Sequence, residues 1–177
     1  MLSIVGAAVF TEHTLQSAPP ASRRAMEATT KRLGRLPSAV ARLAESPHLL
    51  EGFLKLSAAF ESTTLDPVAR EVVVMTVAAR NECHVCVAMH TGKLRTLGAD
   101  EELIAALSGQ RALPDERLEA VRRFTLEVFR TSGAVGDTEL RAFLAHGFTA
   151  QNALEVVMGI GTYTMSTFAN RLTRAAL

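Results

Sequence analysis

Apolar positions along this chain recur every three or four residues, which is the spacing of one face of an α-helix. Between His48 and Glu61 this spacing is kept by Leu49, Phe53, Leu56 and Phe60. Strict alternation of apolar and polar residues, the pattern of a half-buried strand, is scarce. The pattern therefore predicts an all-α fold.

Start and stop signals divide the chain into about eight predicted helices. Ser, Asp or Pro marks a helix start and Gly a helix end, because these residues suit the unpaired backbone groups there. The predicted helices run from Pro19-Pro20 to Leu33, Ser46-Pro47 to Glu61, Asp66-Pro67 to about Arg80, the break at Asn81-Glu82 to Gly98, Asp100 to Leu107, Asp115 to Arg130, Thr138 to Ala145, and Thr149 to nearly Arg174. Ser38 is a further candidate N-cap.

A chain of 177 residues is long enough to bury one core, so we predict a single-domain helical bundle over residues 1–177. Residues 1–18 are an N-terminal extension, and residues 48–110 are the core that carries the cysteine motif described below. The helix from Asp66 to Arg80 is apolar nearly all round, and the last helix is also largely apolar. Such helices need burial on most sides, which favours a homo-oligomer.

Charge and hydropathy exclude two classes of partner. The chain has 19 basic and 18 acidic residues and a formal net charge of +1, without the basic cluster that nucleic-acid binding requires. The apolar stretch from Met1 to Phe10 is short and lacks a positive flank, so it fits neither a signal peptide nor a membrane-spanning helix. We expect a cytoplasmic protein that binds neither nucleic acid nor membrane.

The candidate chemistry lies in the run from Cys83 to His90. Cys83 and Cys86 are the only two cysteines, and in a reducing compartment such a close pair is more often catalytic or metal-binding than structural. On a helix, Cys83, Cys86 and His90 fall within an arc of about 60°. Cys83 at the helix N-terminus favours a thiolate, and His90 lies within side-chain reach of Cys86. This spacing favours dithiol redox chemistry, with zinc ligation and an inert pair as alternatives.

Glu71 is the fourth candidate. It shares one helical face with Val68, Val72, Met75, Ala78 and Ala79. A carboxylate among apolar neighbours should be partly buried, with its pKa raised and its proton available for transfer. If the helices on either side of residue 82 run antiparallel, Glu71 lies opposite Lys93, one turn from His90. A relay from Glu71 through His90 to Cys86 is then geometrically reasonable.

These residues resemble a known family. The segments Leu65-Asp66-Pro67-x-x-Arg70-Glu71 and Asn81-x-Cys83-x-x-Cys86-x-x-x-His90, with a weaker match from Thr164 to Asn170-Arg171-Leu172, are similar to the AhpD-like alkylhydroperoxidase group of the carboxymuconolactone decarboxylase superfamily. The resemblance extends from about Pro19 to Arg174. It implies an AhpD-like all-α fold and assembly as a trimer or hexamer.

The resemblance also implies a reaction and a role for each candidate. In that family the second cysteine attacks a hydroperoxide and becomes a sulfenic acid, and the first donates a proton and then closes the disulfide. Cys86 would be the peroxidatic thiol, Cys83 the resolving thiol, and His90 with Glu71 the relay. The substrate is a small hydroperoxide, the reductant a dithiol or protein still to be identified, and neither cofactor nor metal is expected. The helix-dipole argument alone would instead favour Cys83 as the reactive thiol.

One departure and two alternatives stay open at this point. Relatives often carry His or Tyr just before the second cysteine, where this chain has Val85, and His84 points about 100° away. We therefore expect His84 to face solvent rather than join the relay. The alternatives are a carboxymuconolactone decarboxylase-type lyase, which does not depend on a cysteine pair, and a non-enzymatic thiol redox sensor.

Overall fold

The computed structural model describes residues 9–177, and along that part of the chain all regular secondary structure is helical. The nine helices are α1 (Pro20–Leu33), α2 (Ser38–Leu43), α3 (Pro47–Glu61), α4 (Pro67–Arg80), α5 (His84–Thr96), α6 (Glu101–Ser108), α7 (Glu116–Thr131), α8 (Asp137–Ala145) and α9 (Ala150–Thr173). The all-α prediction is confirmed, with one helix more than expected. None of these helices combines the length and apolarity that crossing a membrane requires. Most of the stretch from Met1 to Phe10 lies outside the described residues.

Most helix starts follow the predicted caps. The carboxylates of Asp66, Asp100 and Asp115 accept hydrogen bonds from the amides of the third residue of α4, α6 and α7 at 2.9, 2.7 and 2.8 Å. Each bond satisfies an amide that has no partner inside its helix. The cap predicted at Ser38 is wrong: α2 begins at Ser38 itself, and this hydroxyl donates instead to Glu12 at 2.9 Å.

The chain divides into two packed units, and the first comprises residues up to Leu54 together with Ala169–Leu177. Met26 and Leu50 are fully buried in its core. The other buried members of that core are Ala18, Val40, Leu43, Ala44 and Ala169. Arg42 donates from one guanidinium nitrogen to the carbonyls of Phe10 and Thr173, which ties segments distant in sequence together inside this unit.

The second unit, Lys55–Phe168, is organised around α4. This helix packs against α5, α6 and α7, and every residue from Glu71 to Ala79 is buried. The prediction that α4 is covered on most sides is confirmed. Because the protomer itself covers it, however, the apolar surface of α4 no longer argues for an oligomer.

Two glycines of α9 differ in their surroundings. A Cβ atom added to Gly159 would lie 2.7 Å from two ring atoms of Phe60 and 2.9 Å from a methyl group of Val73. Gly161 is exposed, and an added Cβ would meet nothing within 4 Å. The α9 backbone is therefore closely packed at Gly159 and open at Gly161.

The two glycines form a matched pair for testing packing in this unit. We expect Gly159→Ala to lower the free energy of unfolding by about 1–3 kcal/mol, because buried neighbours must shift to admit the methyl group. Gly161→Ala should raise it by about 0.5–1 kcal/mol, because alanine loses less backbone entropy in a helix. Urea unfolding followed by circular dichroism measures both, and a gain in stability from Gly159→Ala would contradict the observed packing.

Candidate functional site

A tight reversal joins α4 to α5. Asn81 ends α4 and donates a side-chain hydrogen bond to the hydroxyl of Thr167 at 3.0 Å. Glu82 has a left-handed backbone (φ 51), and the amide of Cys83 then bonds back to the carbonyl of Ala78 at 2.9 Å. The left-handed residue lets the chain turn back, which places α5 beside α4.

Cys83 and Cys86 are joined by a disulfide, with Cα atoms 5.3 Å apart. Cys83 is the N-cap of α5 and not part of the helix, so the shared helical face predicted for three residues holds only for Cys86 and His90. Cys86 is the third residue of α5, inside the first turn. Both sulfurs therefore belong to residues at the positive end of the helix, and the dipole argument does not single out Cys83.

Glu71 holds the two basic side chains that face it from α5. One carboxylate oxygen, Oε2, bonds to Nδ1 of His90 at 2.7 Å, and the other, Oε1, lies 2.9 Å from Nζ of Lys93. The Glu71 side chain is 1% exposed, against 16% for His90 and 38% for Lys93. The predicted level of Glu71, opposite Lys93 and one turn from His90, is confirmed.

The predicted direction of the Glu71 pKa is wrong. Burial pushes this pKa up, as expected, but the hydrogen bonds and charges of His90 and Lys93 outweigh burial and bring the pKa below the ordinary value of 4.5. The same pairing, with a second carboxylate at Glu61, raises the pKa of Lys93 against the effect of its own burial. Glu71 is thus held as a carboxylate and is not a reservoir of protons at neutral pH.

Several residues beyond the motif complete the site. Lys93 also pairs with Glu61 at the end of α3, and Arg70 lies 3.8 Å from that same carboxylate. Tyr163 of α9 stands edge-on to the His90 ring, with centroids 5.4 Å apart, and its hydroxyl lies 3.3 Å from that of Ser57. Burial raises the pKa of Tyr163, so its hydroxyl stays protonated.

The sequence signals for these residues are uneven. Lys93 follows His90 by three residues, so the helical period alone puts it on the same face. Glu61, Tyr163 and Ser57 lie on other helices, and nothing local in the sequence links them to the cysteine motif. His84 is exposed, as expected, while Val85 is buried.

The zinc alternative and a cavity between other helices bear on where the candidate site lies. Among residues 9–177, no three His, Cys, Asp or Glu side chains converge in an arrangement that could hold a metal ion. A cavity of about 540 Å³ lies between α7 and α8, with Phe124, Phe143 and His146 in its lining, and none of the site residues described above lines it. The cysteine pair at the start of α5 therefore remains the candidate site.

One protein-family model matches the part of the chain that carries the candidate site. The model of the carboxymuconolactone decarboxylase family matches residues 44–127, a range that contains Glu71, Cys83, Cys86, His90 and Lys93. No curated protein sequence matches the chain. Over residues 44–127, this match confirms the resemblance predicted from the sequence motifs.

Solved structures share the fold at low sequence identity. An alkylhydroperoxidase AhpD core, a peroxidase-related protein from Ralstonia eutropha JMP134, is 22% identical over 92% of this chain and 88% of its own, with a TM-score of 0.81. A peroxidase-related protein from Silicibacter sp. TM1040 is 19% identical over 99% and 95%, with a TM-score of 0.80. A debrominase in complex with 2,3,4-tribromopyrrole is 12% identical over 96% and 91%, with a TM-score of 0.74. At these identities the likeness establishes the fold and not the activity.

The lowered pKa of Glu71 predicts an acid-sensitive contribution to stability. A carboxylate whose folded-state pKa lies below 4.5 stabilises the fold fully above that pH, and loses the contribution as pH falls through the lower folded value. We expect Glu71→Gln to cost about 1–3 kcal/mol at pH 7 and progressively less in acid, because a buried charge-assisted bond is lost. Urea unfolding of both proteins from pH 7 to pH 3 measures the difference.

Glu101→Gln is the matched control. The pKa of Glu101 is also lowered, by its hydrogen bond to Arg95, but that pair is exposed and screened by salt. Its effect should be small and vanish at high salt, whereas the effect of Glu71→Gln should persist. Equal effects of the two substitutions would contradict the burial of the Glu71 charge.

Proposed function

We propose, on the premise that the chain carries the AhpD-like fold of the carboxymuconolactone decarboxylase superfamily, that it is an enzyme that reduces hydroperoxides through Cys83 and Cys86. One observation carries the proposal. The dithiol pair lies at the start of α5, and His90, four residues after Cys86, is bonded to a buried carboxylate. A thiol near its ordinary pKa of about 8.5 is mostly protonated at neutral pH, so a nucleophilic thiol needs such an acceptor.

The proposed cycle balances in three steps. The Cys86 thiolate attacks the terminal oxygen of ROOH, the O–O bond breaks, and with one proton the products are a sulfenic acid and ROH. The Cys83 thiol then attacks the sulfenic sulfur, releasing water and forming the Cys83–Cys86 disulfide. Two thiols of an external dithiol or protein reductant restore the pair and leave as a disulfide. We propose that this reductant is drawn from a reducing cytoplasm.

The contact between Glu71 and His90 supports a defined role for each. An ionised carboxylate can only accept hydrogen bonds, so Nδ1 of His90 carries the proton in their 2.7 Å bond. In a neutral imidazole this leaves Nε2 unprotonated and able to accept the proton of Cys86. Glu71 then fixes the tautomer of His90 and stabilises the imidazolium, which differs from the proton-donating role expected from burial alone.

The competing functions make different demands on the pair. A decarboxylase-type lyase does not need two cysteines, and a redox sensor needs them without turnover. The debrominase neighbour shows that the fold can house another reaction, at an identity that carries no argument about substrate. An assay that includes hydroperoxides, a lactone decarboxylation substrate and 2,3,4-tribromopyrrole separates these possibilities.

The function is tested by steady-state turnover with cumene hydroperoxide and a panel of dithiols. We expect wild-type activity and its loss in Cys86→Ser. Glu71→Gln and His90→Phe should lower kcat by roughly 10²–10⁴-fold with the fold intact, the usual contribution of a general base. After one equivalent of peroxide, dimedone should label Cys83→Ser strongly, because nothing resolves its sulfenic acid, and should leave Cys86→Ser unlabelled.

Two outcomes would overturn these assignments. If Cys86→Ser is labelled and Cys83→Ser is not, the roles of the two thiols are reversed. If wild-type protein forms the disulfide once but never turns over with any dithiol, the sensor function replaces the enzyme.

We further propose that the protein assembles as a homo-oligomer, a trimer or hexamer as the resemblance implies. Support comes from α9, where Leu154, Val157 and Phe168 are 72, 47 and 58% exposed. Large apolar side chains along one helix favour burial against a second surface. Light scattering at micromolar concentration should give three or six times the chain mass of 19.0 kDa. Leu154→Glu with Phe168→Glu should lower that mass, and a wild-type monomer would refute assembly.

A further inference from the structure

Lys93 lies between two carboxylates and beside the relay. Its Nζ is 2.9 Å from Oε1 of Glu71 and also pairs with Oε1 of Glu61. The other oxygen of Glu71 is the one bonded to His90. The buried carboxylate of Glu71 therefore contacts both the His90 imidazole and the Lys93 ammonium group. A change in the charge of either partner alters the electrostatic environment of the other.

The charged groups around this carboxylate form a balanced set. Glu61 comes from α3, Arg70 and Glu71 from α4, and Lys93 from α5. Two carboxylates and two cations sum to zero, and the neutral hydroxyl of Tyr163 faces His90 from α9. The charge of Glu71 is therefore offset by its neighbours, which lets the buried carboxylate stay ionised.

We infer that Lys93 is a positioning residue for the proposed reaction: its charge holds Glu71 ionised, so that Glu71 keeps accepting from Nδ1 of His90 and leaves Nε2 able to take the proton of Cys86, and the same charge favours the Cys86 thiolate. The inference rests on the proposed function in taking Cys86 as the attacking thiol. It assigns a function to a residue outside the Cys83, Cys86, His90 and Glu71 motif.

The direction of the effect follows from Coulomb's law. Replacing Lys93 by a neutral residue removes a positive charge that lies on α5 about two helical turns from Cys86, so the Cys86 thiolate is less favoured. Replacing Glu61 by glutamine removes the negative charge on the far side of Lys93 and acts in the opposite sense. If the two substitutions acted by disturbing the structure, both would change the reactivity of Cys86 in the same direction.

The test measures the reactivity of Cys86 without peroxide. In a Cys83→Ser background Cys86 is the only cysteine, and its alkylation rate by iodoacetamide is followed from pH 5 to pH 10. We expect Lys93→Met to move the midpoint of this profile up by roughly half to one pH unit, a shift moderated by the partial exposure of Lys93. Lys93→Arg should restore the wild-type midpoint, and Glu61→Gln should move it down.

Arg95→Met is the matched control, because it removes another ion pair of the same helix, Arg95 with Glu101, at a surface position. It should leave the midpoint unchanged. Circular dichroism and urea unfolding verify that each variant is folded, and Lys93→Arg and Glu61→Gln carry the test if Lys93→Met does not fold.

The outcomes separate this inference from the proposed function. If wild-type protein lacks peroxidase turnover but the alkylation midpoint moves up in Lys93→Met and down in Glu61→Gln, the function fails and the inference holds. If turnover is present and the midpoint of Lys93→Met coincides with wild type, the inference is overturned. Shifts in the same direction for Lys93→Met and Glu61→Gln would also overturn it, because charge would then not be the cause.

Discussion

A carboxylate buried in the middle of an apolar helix must find a positive or hydrogen-bonding partner, since an unpaired buried charge costs several kcal/mol. In this protein that carboxylate belongs to Glu71, which α4 carries into the centre of its unit at 1% exposure. Its partners come from the next helix, because His90 and Lys93 occupy successive turns of α5 and meet the two oxygens separately. The position of α5 along α4 is therefore tied to the pairing of one charge, and the position of the cysteine pair is tied to α5.

The turn at residues 81–83 must reverse the chain within a few residues and place His90 and Lys93 of α5 next to Glu71 of α4. Glu82 takes a left-handed backbone, and the amide of Cys83 returns to the end of α4. Asn81 anchors the turn to Thr167 of α9 through a buried side-chain bond. As a consequence the first cysteine occupies the N-cap and the second the first turn, where unpaired amides favour a thiolate at either one.

Local chemistry explains which features the sequence could predict. The aspartate caps of α4, α6 and α7 depend on a side chain and an amide three residues away, so they are visible in the sequence. The Glu71–His90 contact was predictable because helical period and one reversal suffice to define it. The lowered pKa of Glu71 was not predictable, because the apolar neighbours of Glu71 indicate its burial but not that the contacts with His90 and Lys93 outweigh it.

Features that depend on distant segments were missed for the same reason. Ser38 is a residue type that often caps helices, but its hydroxyl donates a hydrogen bond to the carboxylate of Glu12, which is far away in sequence. Gly161 resembles Gly159 in sequence, yet only Gly159 lies beneath the ring of Phe60. At both positions the neighbours that decide the role of the residue come from tertiary packing and not from the local sequence.

The proposed difference in role between the two cysteines also follows from the position of Glu71. Both lie at the end of the same helix, and both are buried, at 1 and 6% exposure, so neither helix dipole nor burial distinguishes a nucleophile from a resolving thiol. What differs is distance along α5 to the imidazole: His90 is one turn from Cys86 and about two turns from Cys83. An acceptor fixed by a buried carboxylate favours the nearer thiol, and that thiol is Cys86. In the proposed cycle, the position of Glu71 on α4 and of His90 on α5 therefore decides which cysteine is the nucleophile and which is the resolving thiol.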